Sequence, residues 1–270
     1  EEVTACRICG NGGLEEVIDL GEQALTGRFP KEGEPEPPMA PLSVVRCIEC
    51  GLIQLKHSVH LSEMYTSNYG YRSGINRTMR GHLAGIVRSL LGIVTLSAGD
   101  VVLDIGCNDG TLLKEYCVDG VVQVGMDPLV DIFSREEFSD IIARACFFDS
   151  ENFNSASSGR KAKAVTSIAI FYDLEDPNRF VADIAAILEK DGIWILEQSY
   201  LPSMLKSNAF DTICHEHLEY YALKQINRLT EENGLRVFNV ELNDCNGGSF
   251  RVFVCHEDAP YQPNKANIAK

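Results

Sequence analysis

No stretch of this 270-residue sequence approaches the roughly 18 consecutive apolar residues that a bilayer-spanning helix needs. Its first residues also lack the basic-then-apolar layout of a secretion signal, so a soluble, cytoplasmic protein is expected. Basic residues are scarce as well: 24 Lys and Arg against 39 Asp and Glu leave a formal net charge of -15. So acidic a chain has no broad positive field with which to hold nucleic acid or anionic lipid, although a local basic pocket for one phosphorylated ligand remains compatible.

Cysteine is not scarce, with ten residues, but a disulfide scaffold belongs to short chains unable to build a core. Here 45% of the residues are hydrophobic, enough for one full α/β core and a small accessory module. Four of the ten cysteines are spaced for metal. Cys6 and Cys9 form one C-x-x-C-G knuckle and Cys47 and Cys50 the other, with Gly10 and Gly51 freeing the backbone to turn its amides toward sulfur. Four thiolates suit tetrahedral zinc and leave no position for water or substrate, so the metal is expected to be structural. A redox dithiol or an iron-sulfur cluster is the competing reading of the same residues.

The chain divides by its texture. Residues 1–60 read as the zinc-binding module, interrupted by a surface loop rich in Pro and Glu from Lys31 to Pro41. Residues 61–96 read as a lead-in: an aromatic and glycine cluster, then apolar residues at helical spacing from Asn76 to Leu91. Over 97–256 the short apolar runs VVLDIG, VVQVGMD, AVTSIAIF, IWILEQ, LRVFNVEL and FRVFVCH alternate with helix-like text. That alternation predicts an α/β fold with a parallel, doubly wound sheet and an antiparallel hairpin at its end. Residues 257–270 show no periodicity and read as a tail or a linker to a further C-terminal domain.

The segment VVLDIGCNDGTLL predicts a buried strand, a glycine turn and the start of a helix. Gly106 and Gly110 allow the backbone to pass close to a ligand. The turn is not G-x-G-x-x-G, and Asp104 and Asp109 beside it would repel a diphosphate. An acidic turn instead suits a cationic cofactor, a sulfonium carrying an amino group, with Cys107 and Asn108 in the turn itself. Asp127 and Pro128 then follow at the carboxyl end of the second strand, where a carboxylate accepts two ribose hydroxyls of an adenosine.

The densest polar chemistry is FDTICHEHLEYY, which carries His215, Glu216, His217 and Glu219 just beyond the fourth strand. A histidine among carboxylates titrates near neutrality and can remove a proton from carbon beside a carbonyl; His217 is the candidate base and Glu216 its neighbour in the catalytic pair. His-x-His is also a metal-pair spacing, but no third ligand stands at useful distance in the sequence. NYGYRSG supplies Tyr69, Tyr71, Arg72 and Ser73 in a glycine-flanked loop, either a cover with hydrogen-bond donors for a polar substrate or an aromatic packing turn. In NGGSFRVF, Asn246, Gly247 and Gly248 form either an oxyanion-binding turn or a plain hairpin turn, with Arg251 following.

Taken in order, the four-cysteine module, the DIGCNDG turn, the FYDLEDP strand end, the H-E-H segment and N-G-G-S resemble the zinc-containing sugar C-methyltransferases, from Cys6 to about Cys255. The resemblance implies a Rossmann-like class I methyltransferase core with a small N-terminal zinc-binding module. It implies S-adenosylmethionine and structural zinc as cofactors, and a nucleotide sugar, a dTDP-linked 4-keto-deoxyhexose, as the small-molecule substrate. It places His217 where the family's base stands, removing the proton beside the ketone so that the enolate attacks the sulfonium methyl. The candidate substrate contacts, from the loop, H-E-H and turn readings above, are Tyr69, Tyr71, Ser73, His215, Asn246, Gly247 and Arg251. Two positions depart from the pattern: Cys214 stands where the family often has Tyr, and Asp173 near a His of the antibiotic-sugar members. Members usually continue into a second C-terminal α/β domain, whereas this sequence stops at Lys270. Methylation of oxygen or nitrogen on another small metabolite, and a non-catalytic module that kept the fold, are the alternatives to carbon methylation.

Overall fold

A computed structural model describes residues 1–26, 30, 32–33, 35–60 and 70–269. The N-terminal module is an antiparallel sheet of β1 (Leu14–Ala24), β2 (Met39–Cys47) and β3 (Ile53–Leu55). Its fourth strand comes from far along the chain: β9 (Glu219–Tyr220) pairs antiparallel with β3. The module is thus stitched into the main domain through the segment that follows the H-E-H residues.

The main domain is a seven-stranded sheet in the order β10-β11-β8-β7-β4-β5-β6. β4 (Val101–Ile105), β5 (Val122–Met126), β6 (Ile141–Arg144), β7 (Ala162–Ile168) and β8 (Leu188–Ser199) are parallel. β11 (Ser249–His256) runs antiparallel between β8 and β10 (Leu235–Asn243), the expected terminal hairpin. Every residue of β4 is buried, as a central strand covered on both faces must be. The order reverses at β4, whose neighbours β5 and β7 leave it on opposite sides; a crevice opens at the carboxyl ends there.

Helix α1 (Arg77–Leu91) buries Leu83, Ile86, Val87 and Leu90, and the Asn76 side chain caps it by accepting from the amides of Thr78 and Met79. On the other face lie α2 (Ser150–Ser157), α3 (Pro177–Ile187) and, after the short α4 (Leu201–Ser207), α5 (Leu223–Glu231). Asp176 caps α3 with Pro177 in its first turn.

Three features differ from the sequence reading. The helix expected after DIGCNDG is only a single 3-10 turn, Leu113–Glu115, because Gly120 closes the connection before β5 begins at Val122. The short edge strand β6 was not singled out, since its four residues carry no alternating pattern. The C-terminal text is not an unattached tail: Tyr261 stacks on Phe238 with ring centroids 5.0 Å apart, and the Asn264 amide donates to the Phe238 carbonyl at 2.7 Å. Among the described residues no helix is long and apolar enough to cross a membrane.

Candidate metal centre and active site

The four cysteines of the two knuckles converge. Their sulfurs lie within 4.8 Å of one another, with 3.5 Å between Cys6 and Cys50 and between Cys9 and Cys47. A zinc-sulfur bond of about 2.3 Å sets sulfurs about 3.8 Å apart at the corners of a tetrahedron, so the cluster fits that ion with little adjustment. The turns are built as the glycines require: Gly10 and Gly51 have φ of +69° and +75°, and their amides bond the carbonyls of Cys6 and Cys47. Helix α5 reaches the second knuckle, Gln225 Nε2 donating to the Cys50 carbonyl at 3.0 Å.

At the crevice between β4 and β7 lies a cavity of about 690 Å³, within the range of small-molecule sites. Asp104, Gly106, Cys107, Asn108, Asp127 and Pro128 line it, as do Tyr71, Ser73 and Asn246. Gly106 has φ +72°, and a Cβ there would lie 2.6 Å from Ile170 Cγ2, so the turn admits only glycine without a shift. Gly110, also at φ +72°, does not line the cavity; it lets the turn pack against Phe138 and Ile141.

Asp127 is held by backbone amides, Leu129 to Oδ1 at 2.7 Å and Asn108 to Oδ2 at 3.0 Å. Each oxygen keeps a second lone pair for a hydroxyl, which is what a ribose diol needs. Burial raises the pKa of Asp127 despite those amides. Asp104, wholly buried, is pushed up to about 7 by desolvation, against the Thr166 hydroxyl that donates to it at 2.6 Å, and the Asp127 charge adds to the rise. Two carboxyls that resist ionisation without a counter-charge fit a cationic ligand. The lead-in loop lies over the turn: Ser73 N donates to Asn108 Oδ1 at 3.0 Å and Asn108 Nδ2 to the Tyr71 carbonyl at 3.2 Å. Arg72 pairs with Glu137, lies over the Phe133 ring and comes within 3.9 Å of Asp109 in the turn. Tyr69 lies outside the described residues.

The H-E-H segment sits beside this cavity without lining it. The His217 ring packs 4.2 Å from the ring of Tyr172, which is a wall of the cavity. His217 Nδ1 donates to the Thr212 carbonyl at 2.8 Å, leaving Nε2 as the basic atom. Glu216 is largely buried, which raises its pKa, and its Oε1 has no partner. His215 is turned away, 1% exposed, its Nε2 donating to the Ala40 carbonyl of β2 at 3.1 Å; burial lowers its pKa.

Two other expected substrate contacts also stand off the cavity. Gly247 holds a turn at φ +79°, and Arg251 is drawn beneath the wall by Glu197, Nε to Oε2 at 2.7 Å. Not singled out in the sequence were His82, Glu197 and Gln198, all of which line the cavity. The available signal was the Glu-Gln pair ending the apolar run IWIL: polar residues at the carboxyl end of a buried strand face the crevice.

With this geometry the chain matches known proteins. The family described as "Putative zinc binding domain" covers residues 6–65, and that described as "Methyltransferase domain" covers residues 75–240. C-methyltransferase NovU of Streptomyces niveus is 28% identical over 267 residues, 98% of this chain and 63% of the relative. The chain therefore spans less than two thirds of that relative's length. Magnesium protoporphyrin IX methyltransferase from Synechocystis PCC 6803, solved with bound SAH, superposes with a TM-score of 0.51 at 14% identity, over 70% of this chain and 91% of that one. A mycolic acid cyclopropane synthase complexed with SAH and CTAB gives 0.50 at 13% identity, over 70% and 90% of the two chains. At such identities these two likenesses speak to the fold alone.

Proposed function

We propose, from the premise that this chain belongs to the methyltransferase-domain family and carries a structural zinc module, that it methylates carbon on a nucleotide-linked 4-keto-deoxyhexose, with dTDP as the nucleotide. The observation that carries the cofactor assignment is the acidic switch-point cavity, in which buried Asp104 and Asp127 flank a turn that admits only glycine at Gly106. S-adenosylmethionine supplies a sulfonium methyl, an electrophile that an electron-rich carbon can take. Asp127 would hold the ribose hydroxyls, and Asp104, through its partial ionisation, would favour a positively charged neighbour.

The carbon acceptor is supported by the 28% identity to a C-methyltransferase across nearly the whole chain and by the H-E-H segment beside Tyr172. In this reading His217 takes the proton from the carbon next to the ketone through Nε2. Its Nδ1 is fixed by Thr212, and the buried Glu216 carboxyl lies next to it in sequence. The cytoplasm, where nucleotide sugars are made and S-adenosylmethionine is held, is the compartment this reading requires.

The deciding experiment uses labelled S-adenosylmethionine and dTDP-4-keto-6-deoxyhexoses bearing deuterium on the carbon beside the ketone. Carbon methylation releases that deuterium as the labelled methyl arrives, read by mass spectrometry. A methylated product that retains its deuterium identifies an oxygen or nitrogen acceptor, and absence of S-adenosylmethionine binding by calorimetry would point to a non-catalytic module.

A further inference from the structure

The cavity wall carries an imidazole that the reaction above does not use. His82, on α1, lines the cavity and bonds Glu197 Oε1 through Nε2; Nδ1 makes no hydrogen bond with any described residue. Glu197, at the carboxyl end of β8, is 3% exposed and is fixed on its other oxygen by Arg251 Nε at 2.7 Å and Asn243 Nδ2 at 3.1 Å. Burial alone would raise its pKa, but the His82 hydrogen bond and the Arg251 charge carry it below the usual carboxylate range. Arg251 in turn faces Glu241, Nη1 to Oε2 at 3.4 Å. His82 Nε2 is thereby held against a carboxylate that is itself fixed on its other oxygen, which orients the ring and turns Nδ1 away from Glu197.

The next residue supplies an independent sign of a ligand. Gln198 is 2% exposed and lines the same cavity, yet neither its Nε2 nor its Oε1 has a hydrogen-bond partner. A buried amide left without partners is costly, so a polar ligand atom at this wall would recover that loss. The Cys245 sulfur also lies within 4.8 Å of the His82 and Glu197 ligating atoms. A metal ion there is disfavoured, because Arg251 already puts a positive charge on the only carboxylate of the trio.

We propose that His82 is a hydrogen-bond donor to the acceptor's oxygen: held against Glu197 through Nε2, it presents Nδ1–H to the carbonyl oxygen, with Gln198 Nε2 as a second donor. As His217 withdraws the proton from carbon, the C–H pair becomes the enolate π bond and the carbonyl pair moves to oxygen, where these donors stabilise the charge. When the enolate carbon forms its bond to the methyl group, sulfur keeps the pair of the broken S–C bond, the carbonyl reforms, and the His82 proton stays on the ring. Glu197 and Arg251 act through His82 and are positioning residues. The chemistry of this assignment rests on the keto-acceptor reading above.

The test pairs a chemical with a spectroscopic measurement on the full chain with zinc bound. With dTDP-4-keto-6-deoxyglucose in deuterated water, His82→Gln should slow both exchange of the proton beside the ketone and methyl transfer by roughly 100-fold, while S-adenosylhomocysteine affinity stays within a few-fold. Glu197→Gln should lower both rates by a smaller factor. Rates within twofold of wild type in His82→Gln, with cofactor affinity retained, would overturn the assignment. Independently, nitrogen-15 spectra of the His82 ring, assigned by its disappearance in the variant, should show both ring nitrogens protonated at pH 7, and Glu197→Gln should lower the pH at which that proton is lost. An unprotonated Nδ1 at pH 7 would overturn the assignment whatever the acceptor. If wild type neither exchanges nor methylates the probe, the keto-sugar reading falls, and the ring spectra still decide whether His82 is the donor described.

Discussion

Asp104 makes folding stability depend on pH in a direction opposite to that of most carboxylates, and the size of the effect follows from its burial. The group lies wholly inside the domain and its pKa is raised from an ordinary 3.8 to about 7. The folded state therefore binds the proton more tightly than the unfolded chain, so the associated stability is fully present below the unfolded value and is lost as pH rises through the folded one. Between pH values of about 5.5 and 8 the two titration curves imply a loss of about 2 kcal/mol in the cofactor-free protein. Asp104→Asn keeps an acceptor for the Thr166 hydroxyl and removes the titration. Urea unfolding of the zinc-saturated protein and the variant at matched pH values isolates the difference from other titrating groups. The variant should gain about 2 kcal/mol relative to wild type across that interval. Saturating S-adenosylmethionine should shrink the gain, because a cation beside the carboxylate favours its ionised form. Parallel stability curves without ligand would refute the reasoning.

Other substitutions probe separate parts of the site. Gly106→Ala should weaken S-adenosylhomocysteine binding at least tenfold by calorimetry, since φ of +72° costs a non-glycine residue about 1–2 kcal/mol and the new Cβ must displace Ile170 from 2.6 Å. His217→Ala should abolish methyl transfer while cofactor affinity stays within a few-fold, because a base lowers the barrier and does not contact adenosine; loss of cofactor binding in that variant would refute its role. Cys47→Ser should release zinc, read by elemental analysis, and lower the thermal midpoint, since a structural site couples metal affinity to folding; unchanged zinc content would count against the four-thiolate centre.

What the sequence made legible follows the reach of local rules. The buried strands of the central sheet, the helical stretch from Asn76 to Leu91, and the Asp104 and Asp127 positions at two strand ends are encoded within a few residues of one another or at one strand's separation, and the structure has the strands and the helix, with both carboxylates lining one cavity. The knuckles were legible because a pair of cysteines at fixed spacing fixes its own turn. Residues whose role depends on distant partners were not. His82 reads as one polar position on an amphipathic helix until β8 brings Glu197 beside it, 115 residues later in the chain. Arg251 reads as a substrate contact until that carboxylate claims it, and His215 likewise until β2 offers the Ala40 carbonyl.

The same long-range pairing gives the zinc module a part in positioning the chemistry. The H-E-H segment has little regular structure of its own: a 3-10 turn at Phe210–Thr212 and the two-residue β9. Its position is fixed largely from outside, by β3 pairing with β9, by the Leu55 amide donating to the Leu218 carbonyl at 2.8 Å, and by His215 on β2. Arg7, between the first two zinc cysteines, forms a buried ion pair with Glu219 at 3.5 Å, where burial otherwise drives that carboxyl's pKa well up. Loss of the metal should loosen Arg7, leave Glu219 uncompensated and free β9, two residues beyond His217. The side of the cavity that carries Asp127, the proposed ribose contact, has no such dependence, since Asp127 is held by amides of its own domain. Zinc removal should therefore separate the two halves of the site, lowering methyl transfer far more than cofactor affinity; an equal fall in both would place the module outside the chemistry.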